Sequence, residues 1–390
     1  MRTQVGIIGA GPAGLLLGRL LDMQGIDFVI LEQRSLDYVL ARVRAGVLEP
    51  GTVQTLRDCG VADRLDREGL PHEIMQFRWN KTRNDIPLVG EDGSKLVTYG
   101  QAEVVKDLIE YHEAAGNRII FEAEVAGLDD LEGRPVIGFT DGGTARTLTC
   151  DFVAGCDGFH GVSRKAIPEA EAHSFIKEYP FSWLGILAQA KPNRELRGFA
   201  HSTRGLAVAS ARSESLGRLY LQVPHDLDPA TMSDEEIWAE LDYRMDDGSG
   251  ERLSRGPIIE KSVARLRGFV CTRMQHGRLC LAGDAAHIVP PSGAKGLNLA
   301  VGDVRVLSET IVRLLKRDDA SLLDSYSEIC LRRIWPTVHW SCLMSDNVHM
   351  FPGQSRFETM MQYEMLDHLV NSETGRLRMR EAMLGRPYEI

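Results

Sequence analysis

A glycine-rich turn near the start of the chain has the spacing of a binding site for a dinucleotide pyrophosphate. Gly9, Gly11 and Gly14 follow an apolar run that ends at Ile8. In such a turn the first glycine permits a tight bend, the second lets the backbone approach the phosphates, and the third allows close helix packing. The N-terminus of the following helix then faces the anion. The spacing therefore predicts phosphate binding by backbone N–H groups.

An acidic residue at the end of the next apolar run strengthens this prediction. Phe28–Leu31 is typical of a second buried strand, and Glu32 follows it, 23 positions after Gly9. A carboxylate in this position accepts hydrogen bonds from ribose hydroxyls. The glycine pattern alone is weak, since such turns occur in unrelated α/β proteins. With a strand before it, a helix after it and the acidic residue, it becomes specific.

Two later segments carry polar residues where a buried strand ends. Asp157 and Gly158 follow one strand, and Asp284 follows the apolar residues 279–282. Asp284 is well placed to accept a hydrogen bond from a ribityl hydroxyl. Further along, residues 293–298 predict a helix start whose backbone N–H groups stabilise nearby negative charge, such as that of a reduced flavin ring.

A pair of short alternating strands predicts a carboxylate clamp. We expect residues 210–212 to pair antiparallel with residues 218–220. Ser210 then faces Tyr220, and Arg212 faces Arg218, all on one face of the sheet. Two opposed arginines repel each other unless an anion lies near them, so the four side chains can bind a carboxylate. The alternative is an ordinary solvated strand face with an arginine pair.

The seven cysteines and eleven histidines do not have the spacing of metal ligands. The cysteine count is odd, and the sequence lacks both a C-x-x-C and an H-E-x-x-H pattern. We therefore expect neither a metal site nor a disulfide framework, and most cysteines are expected to be small buried hydrophobes. Any redox chemistry in this chain requires an organic cofactor.

Composition and charge narrow the class of protein. The 390 residues are 43% hydrophobic and 26% charged, as in an ordinary globular enzyme of two or three domains. The net charge of −10 argues against a nucleic-acid partner, because phosphate neutralisation requires a basic face. The longest apolar stretch, residues 5–18, is interrupted by glycines, so we expect no membrane span. We interpret the chain as a cytoplasmic protein.

These motifs require an α/β fold, with a Rossmann-like FAD-binding domain, an inserted antiparallel-sheet substrate domain and a helical C-terminal region. The pattern is irregular from about 70 to 100, Gln101–Ala115 predicts an amphipathic helix, and residues 118–125 predict a strand. The predicted domain boundaries are 1–70, 100–178 and 266–300 for the discontinuous FAD-binding domain, 71–99 and 179–265 for the substrate domain, and 301–390 for the C-terminal dimerisation region.

In this order the motifs resemble those of the flavin-dependent aromatic hydroxylases, specifically the 4-hydroxybenzoate 3-hydroxylases. The resemblance runs from end to end and includes residues 42–48, 99–101, 179–181, 183–185, 284–298 and 385–388. It implies a homodimer that binds FAD and uses NADPH or NADH and O₂. One oxygen atom would pass from a flavin C4a-hydroperoxide to carbon 3 of a 4-substituted benzoate.

The motifs and the resemblance together imply two sets of nucleotide contacts. The expected FAD contacts are Gly9, Gly11, Gly14, Glu32, Arg42, Arg44, Gln101, Asp157, Arg218, Asp284, Gly296, Leu297 and Asn298. The expected NAD(P)H contacts are Gln33, Arg34, Tyr38, His160, Arg164 and Arg267. A second glycine-turn motif does not appear in the sequence, so the nicotinamide nucleotide is expected in a surface groove. Arg34 favours NADPH, because it can bind the 2′-phosphate.

The resemblance also assigns the substrate and catalytic residues. It places the benzoate carboxylate on Ser210, Arg212 and Tyr220. The expected ring-binding residues are Trp183, Phe199 and Met383, and the expected catalytic residues are His72, Pro291 and Lys295. His72 matches the family's proton acceptor at the solvent end, although a lone histidine is just as often structural.

The chain departs from this family at two tyrosines that carry the phenol proton outward. Phe199 and Met383 occupy those positions, and neither side chain can carry a proton. A 4-amino group activates the ring while it is neutral, so we expect 4-aminobenzoate to rival 4-hydroxybenzoate as substrate. Two other classes stay open. One is an FAD-dependent oxidase or dehydrogenase of a small aromatic acid without oxygen insertion, and the other is a flavin-fold binding protein without catalysis.

Overall fold

The computed structural model describes residues 1–41, 46–171, 173–192 and 198–388. Within these ranges the chain forms twenty β-strands and ten α-helices. The strands are β1 (Val5–Ile8), β2 (Phe28–Leu31), β3 (Val47–Leu48), β4 (Leu70–His72), β5 (Ile74–Trp79), β6 (Thr82–Pro87), β7 (Leu96–Thr98), β8 (Arg118–Ile120), β9 (Glu124–Asp129), β10 (Val136–Asp141), β11 (Thr144–Thr149), β12 (Phe152–Gly155), β13 (Ser174–Ala188), β14 (Gly198–Ser202), β15 (Gly205–Ala211), β16 (Gly217–Pro224), β17 (Ile258–Cys271), β18 (Gln275–His276), β19 (Leu279–Leu281) and β20 (His287–Ile288). The helices are α1 (Pro12–Asp22), α2 (Leu36–Ala41), α3 (Pro50–Asp58), α4 (Asp63–Glu68), α5 (Gln101–Ala115), α6 (Asp234–Met245), α7 (Gly296–Arg317), α8 (Ser321–Val348), α9 (Arg356–Asn371) and α10 (Glu373–Leu384).

A six-stranded sheet in the order β18-β19-β12-β1-β2-β8 carries the glycine-rich turn. Its strands pair in parallel except for β18 with β19. Every residue of β1, β2 and β12 is buried, since helices such as α1 cover the sheet. Strands buried on both faces are apolar throughout, which explains the unbroken hydrophobic runs in the sequence.

The second large sheet has eight strands in the order β20-β17-β13-β16-β15-β14-β5-β6. Its strands are antiparallel neighbours except for β14 and β5, which are parallel. One face packs against α6, where Leu219 and Leu221 meet Trp238. The other face packs against the C-terminal helices, where Trp183 and Met383 belong to one apolar cluster. The alternation along each strand therefore separates two hydrophobic cores.

Two smaller sheets and a helical region complete the fold. Strands β9, β10 and β11 form an antiparallel meander, and β3, β7 and β4 form a three-stranded sheet. Helices α7 to α10 follow the last strand, and α7 contacts both α1 and α8. The fold is thus α/β with a helical C-terminal region, as the sequence predicted. The domain boundaries given above stay predictions.

The observed elements confirm one local prediction and correct two others. Helix α5 spans Gln101–Ala115, as its periodicity indicated. The stretch from 70 to 100 is not irregular, because it contains β4 to β7. Its polar pattern arises because β6 is an edge strand with exposed side chains. Residues 118–125 are not one strand: β8 ends at Ile120 and β9 starts at Glu124, with Glu122 between them in the left-handed region at φ 56°.

Candidate active site

The turn after β1 has the geometry of a pyrophosphate site. Gly9 has φ 102°, and a Cβ on it would lie 2.4 Å from the Cys156 carbonyl oxygen. A Cβ on Gly14 would lie 2.0 Å from the Gly9 carbonyl oxygen. Gly11 differs, because a Cβ there would meet no atom within 4 Å. Helix α1 begins beside this open space without a side-chain cap, so its first N–H groups face an anion site.

Glu32 is fixed beside this turn by two backbone donors. The N–H of Ala10 donates to Oε2 of Glu32 at 2.8 Å, and the N–H of Arg34 donates to Oε1 at 2.9 Å. The residues expected to select the nicotinamide nucleotide lie next to it on the surface. Gln33, Arg34 and Tyr38 are exposed, and the Arg34 guanidinium lies 5.2 Å from the centre of the Tyr38 ring.

The predicted FAD contacts Arg42 and Arg44 lie outside the described residues.

Asp157 closes the turn that follows β12. Its Oδ2 accepts hydrogen bonds from both the N–H and the hydroxyl of Ser163, each at 2.9 Å. Burial raises the pKa of the Asp157 carboxyl group. A Cβ on Gly161 would lie 2.0 Å from the Asp157 carboxyl carbon, so this glycine is needed for the turn. Asp157 therefore shapes the loop, and any direct FAD contact stays a prediction.

The structure brings three of the predicted nucleotide contacts together around Phe159. The guanidinium carbons of Arg164 and Arg267 lie 4.7 and 4.8 Å from the centre of its ring, and the His160 ring lies edge-on at 5.0 Å. Arg164 also donates to the carbonyl of Ala285 at 2.9 Å. Two guanidinium groups and one imidazole thus lie around a single aromatic side chain.

A buried ion pair, which the sequence reasoning missed, holds the turn that carries Asp284. Oδ2 of Asp303 accepts from the N–H of Gly283 at 2.9 Å and lies 2.5 Å from Nε2 of His287. Burial disfavours the charged imidazole, but the Asp303 carboxylate outweighs burial and raises the pKa of His287. The only sequence signal was an aspartate on the buried face of α7, which is uncommon without a partner.

The start of α7 is a second place where backbone N–H groups face open space. Lys295 precedes the helix without a side-chain cap, and a Cβ on Gly296 would meet no atom within 4 Å. Three predicted FAD contacts are partly exposed: Gln101, Asp284 and Leu297. Pro291, in the turn before the helix, is exposed. The uncapped start of α7 fits an anionic or polar cofactor edge.

Asn298 and Lys295 use their side chains within the protein. Asn298 accepts from the N–H of Glu49 at 2.9 Å and donates to the carbonyl of Val47 at 2.9 Å. The buried Lys295 ammonium donates to Glu49 at 2.8 Å and to the carbonyl of Met383 at 2.6 Å. Asn298 therefore has only its backbone left for FAD. A direct catalytic step by Lys295 stays a prediction.

The clamp strands pair in a register two residues away from the one expected. Ser210 lies opposite Arg218, and Tyr220 lies opposite Val208 rather than Ser210. Arg212 lies in the loop, because the Ser213 hydroxyl accepts the N–H groups of two later loop residues and draws the turn towards β15. A shift by two keeps Ser210, Arg218 and Tyr220 on one face, whereas the loop determines the position of Arg212.

Arg212 lies directly over a glycine at the start of α5. A Cβ on Gly100 would lie 1.2 Å from Nη1 of Arg212, and Nη2 lies 3.4 Å from the Glu103 carboxylate. On the neighbouring strands the Ser210 hydroxyl donates to the Arg218 carbonyl at 2.9 Å, and Arg218 Nε donates to the Tyr220 hydroxyl at 3.3 Å. Gly100 thus leaves room for the Arg212 guanidinium, which the sequence did not show.

The expected ring-binding residues belong to one apolar cluster. The Trp183 ring lies 4.9 Å from that of Tyr220, Phe199 stacks on Phe77 at 5.5 Å, and Met383 is buried in the same cluster. Gly185 lies opposite Tyr220, and the Arg218 guanidinium occupies the space beside it, since a Cβ on Gly185 would lie 2.9 Å from Nη2 of Arg218. His72 ends β4 beside Leu96 of the same cluster and is half-buried.

Comparison with known proteins decides the family. The sequence model of the FAD binding domain family matches residues 2–341. Over 100% of its length the chain is 43% identical to the p-hydroxybenzoate hydroxylase of Acinetobacter baylyi and covers 97% of that protein. The chain belongs to the p-hydroxybenzoate hydroxylase family.

More distant proteins are also similar to the chain in sequence or in fold. Over 83% of its length, the chain is 25% identical to the probable NADH-specific resorcinol 4-hydroxylase of Rhodococcus jostii, of which it covers 61%. The crystal structure of p-nitrophenol 4-monooxygenase from Pseudomonas putida superimposes with a TM-score of 0.79 at 19% identity, covering 99% of both chains. At this identity the superposition shows the fold alone.

Family membership makes the chain a flavoprotein aromatic monooxygenase. The structure fits FAD at two places, because a Cβ on Gly11 or Gly296 would enter open space beside an uncapped helix start. Within the described ranges, three or more His, Cys, Asp or Glu side chains do not cluster as metal ligands. None of the described helices combines the length and the hydropathy needed to cross a bilayer.

Proposed function

We propose that this protein hydroxylates a 4-substituted benzoate at carbon 3, next to the electron-donating group. FAD is the bound cofactor, and NAD(P)H and O₂ are the co-substrates. The observation that carries the proposal is the placement of the mostly buried Arg212 guanidinium and the Ser210 and Tyr220 hydroxyls next to the apolar cluster that contains Trp183 and Met383. Bound FAD supplies the redox chemistry that activates oxygen, while the chain's residues bind and orient the acid and exclude water.

The polar end suits a carboxylate. The Arg212 side chain is mostly buried, burial lowers its pKa, and its acidic partner Glu103 lies 3.4 Å away. A buried cation with such a long ion pair favours a second anion. Charge-assisted hydrogen bonds to Arg212, Ser210 and Tyr220 are worth about 1.5–3 kcal/mol each. They would fix the direction of the ring as well as its affinity.

The apolar end bears on the 4-substituent. Phe199 is stacked on Phe77, and Met383 is 3% exposed. Neither side chain has a group that can accept or pass on a phenol proton. A phenol reacts fastest as phenolate, which needs a path for its proton. An aromatic amine donates its nitrogen lone pair while neutral, so it needs no such path. This supports 4-aminobenzoate as a rival to 4-hydroxybenzoate.

The two arginines and the histidine around Phe159 support a role in binding the nicotinamide nucleotide. Arg164, Arg267 and His160 all contact Phe159 in a chain whose net charge is −10. A nucleotide pyrophosphate needs such local positive charge. Arg34 is exposed beside Glu32 and favours the 2′-phosphate of NADPH. Comparing kcat/KM for NADPH and NADH, with Arg34→Ala beside the wild type, tests this choice.

The substrate is tested by measuring kcat/KM for both acids, with product identification and the fraction of NAD(P)H converted to product. We expect efficient, well-coupled formation of 4-amino-3-hydroxybenzoate from 4-aminobenzoate. Well-coupled hydroxylation of 4-hydroxybenzoate with 4-aminobenzoate inert would show that the missing tyrosines do not govern the substrate. Oxygen uptake without NAD(P)H would instead indicate an oxidase.

A double variant tests the role of the two apolar positions directly. Phe199→Tyr with Met383→Tyr restores two hydroxyls at the end of the pocket where the 4-substituent is expected. We expect it to increase turnover of 4-hydroxybenzoate relative to 4-aminobenzoate. The single variants serve as controls, since one hydroxyl leaves the path incomplete. An unchanged preference in the double variant would remove these positions as the cause.

A further inference from the structure

A wholly buried histidine, His349, connects Trp183 of β13 to the end of helix α8. The indole N–H of Trp183 donates to Nε2 of His349 at 2.6 Å, and Nδ1 of His349 lies 2.7 Å from the carbonyl oxygen of Ser345 in α8. The imidazole stacks on Phe181 with ring centres 4.4 Å apart and planes at 17°. His349 thus contacts a residue on the sheet and one on the helix at the same time.

The two hydrogen bonds define the protonation of this imidazole. A carbonyl oxygen can only accept, so Nδ1 carries the proton, and Nε2 must accept the Trp183 N–H. Burial lowers the pKa of His349 to about 3, which keeps the ring neutral at working pH. A single neutral tautomer is therefore held between Trp183 and Ser345, and it holds the indole in one orientation.

The same helix residue reaches the turn before α7. The hydroxyl of Ser345 hydrogen-bonds to the hydroxyl of Ser292 at 3.0 Å. Ser292 is 2% exposed and lies in the short helical turn Pro291–Gly293, which leads into the open N-terminus of α7. The path from Trp183 through His349 and Ser345 to Ser292 is continuous and buried.

Both ends of this path belong to the proposed active site. At one end the Trp183 ring packs on the ring of Tyr220, with ring centres 4.9 Å apart. At the other end the turn Pro291–Gly293 borders the proposed FAD edge. We propose that His349 and Ser345 are a positioning pair, which fixes Trp183 against this turn and so sets the place of the substrate ring relative to the flavin. This inference rests on the proposed function.

The pair predicts a loss of coupling rather than a mere loss of stability. His349→Phe keeps a ring that can stack on Phe181 but leaves the Trp183 N–H without its acceptor. We expect the substrate KM to rise about tenfold, because the indole is no longer held in one orientation against the substrate ring. We also expect the fraction of NAD(P)H that yields hydroxylated product to fall several-fold. His349→Gln supplies an amide oxygen as acceptor and is expected to recover most of both.

A second variant separates the two halves of the path. Ser345→Ala keeps the backbone carbonyl that binds His349 but removes the hydroxyl that binds Ser292. We expect lower coupling with an unchanged substrate KM. His112→Phe is the matched control, because His112 is also wholly buried and hydrogen-bonds a carbonyl, that of Leu15 at 2.9 Å. It should reduce thermal stability without changing coupling.

A measurement without substrate keeps the inference separate from the proposed function. In ¹⁵N-labelled holoenzyme the Trp183 indole proton should exchange slowly with D₂O, and faster in His349→Phe. If the wild type hydroxylates a benzoate while His349→Phe has the same KM and coupling, the positioning pair is wrong. If the wild type hydroxylates none of the acids, the proposed function is wrong. Independently of activity, an unchanged exchange rate of the Trp183 indole proton in His349→Phe would overturn the positioning pair.

Discussion

At the scale of single residues, the glycines of the pyrophosphate turn have different physical roles. Gly9 and Gly14 are required by the fold, since side chains there would overlap the carbonyl oxygens of Cys156 and Gly9. Gly11 has an ordinary φ of −76° and open space where a Cβ would point. The fold therefore tolerates a side chain at Gly11. The same side chain would occupy the space proposed for the pyrophosphate and would prevent its binding.

This difference predicts a folded but colourless variant. Gly11→Val should keep the thermal stability of the apoprotein and lose FAD, as measured by flavin absorbance per chain. Gly127→Val is the matched control, because a Cβ there also meets no atom within 4 Å, and this variant should stay yellow. Gly14→Ala should instead reduce the stability of the apoprotein. Full flavin content in Gly11→Val would show that the pyrophosphate binds elsewhere.

The contact between Gly100 and Arg212 predicts a loss of substrate affinity from a residue outside the clamp. Gly100 has φ −62°, so alanine causes no backbone strain, but its Cβ would displace the guanidinium. We expect Gly100→Ala to raise the KM for the benzoate about tenfold, and Arg212→Ala to raise it roughly 10²- to 10⁴-fold, as for two lost charge-assisted bonds. Flavin content should not change in either variant.

Two controls make this prediction specific. Gly127→Ala adds the same methyl group in open space on β9 and should leave KM unchanged. Arg204→Ala removes an exposed arginine in the turn between β14 and β15 that pairs with Glu240 of α6 at 2.8 Å, and it should also leave KM unchanged. Wild-type affinity in Arg212→Ala would remove the clamp from the proposed site.

At the scale of elements, the structure shows how turns between strands and helices are held. The turn between β19 and β20 depends on the carboxylate of Asp303, which reaches back from α7 to the N–H of Gly283 and to His287. The hairpin between β15 and β16 depends on the Ser213 hydroxyl. In both cases one side chain sets the geometry of a loop that carries site residues.

The Asp303 pair predicts a pH dependence of stability. The pKa of His287 is raised in the fold, so its contribution is complete below the usual histidine value of about 6.5 and is lost as the pH rises through the folded value. Asp303→Asn should lower the free energy of unfolding by about 3–5 kcal/mol at pH 6. It should also remove the decline in stability on the alkaline side. Denaturant unfolding from pH 5.5 to 9 measures both, and an unchanged profile would contradict the assignment.

At the scale of the whole molecule, the described residues form three hydrophobic cores. One surrounds the six-stranded sheet and both open helix starts, one lies between the eight-stranded sheet and the C-terminal helices, and one lies beneath α6. The proposed substrate pocket belongs to the second, which joins strands from early, middle and late parts of the chain. The C-terminal helices therefore complete the pocket, since Met383 comes from α10.

One apolar surface outside these cores bears on the homodimer that the family resemblance implies. Phe357, Met360 and Met361 of α9 have helical spacing and are 73%, 54% and 56% exposed. Exposed apolar side chains grouped in this way are typical of subunit contacts. We expect a dimer by sedimentation velocity, and a monomer for Phe357→Glu with Met361→Glu that keeps its flavin. A dimer of unchanged affinity would place the contact elsewhere.

The sequence by itself determined the features that depend on short-range order. The spacing of Gly9, Gly11 and Gly14 predicted the pyrophosphate turn, because tight turns and helix starts require particular residues at fixed offsets. Unbroken apolar runs predicted the strands that are buried on both faces, and hydrophobic periodicity predicted helix α5. The even spacing of Ser210, Arg218 and Tyr220 predicted a shared face, since alternation along a strand does not depend on register, whereas Arg212 lies in the loop.

Only the tertiary structure decided which distant residues meet. The register of β15 with β16 depends on how Ser213 binds loop N–H groups, and strand patterns allow shifts by two without moving any side chain to the other face. Arg212 over Gly100 joins a loop to a helix start, and His349 on Trp183 joins the end of α8 to the sheet. Periodicity cannot encode such contacts, because they arise from the packing of elements that are far apart along the chain.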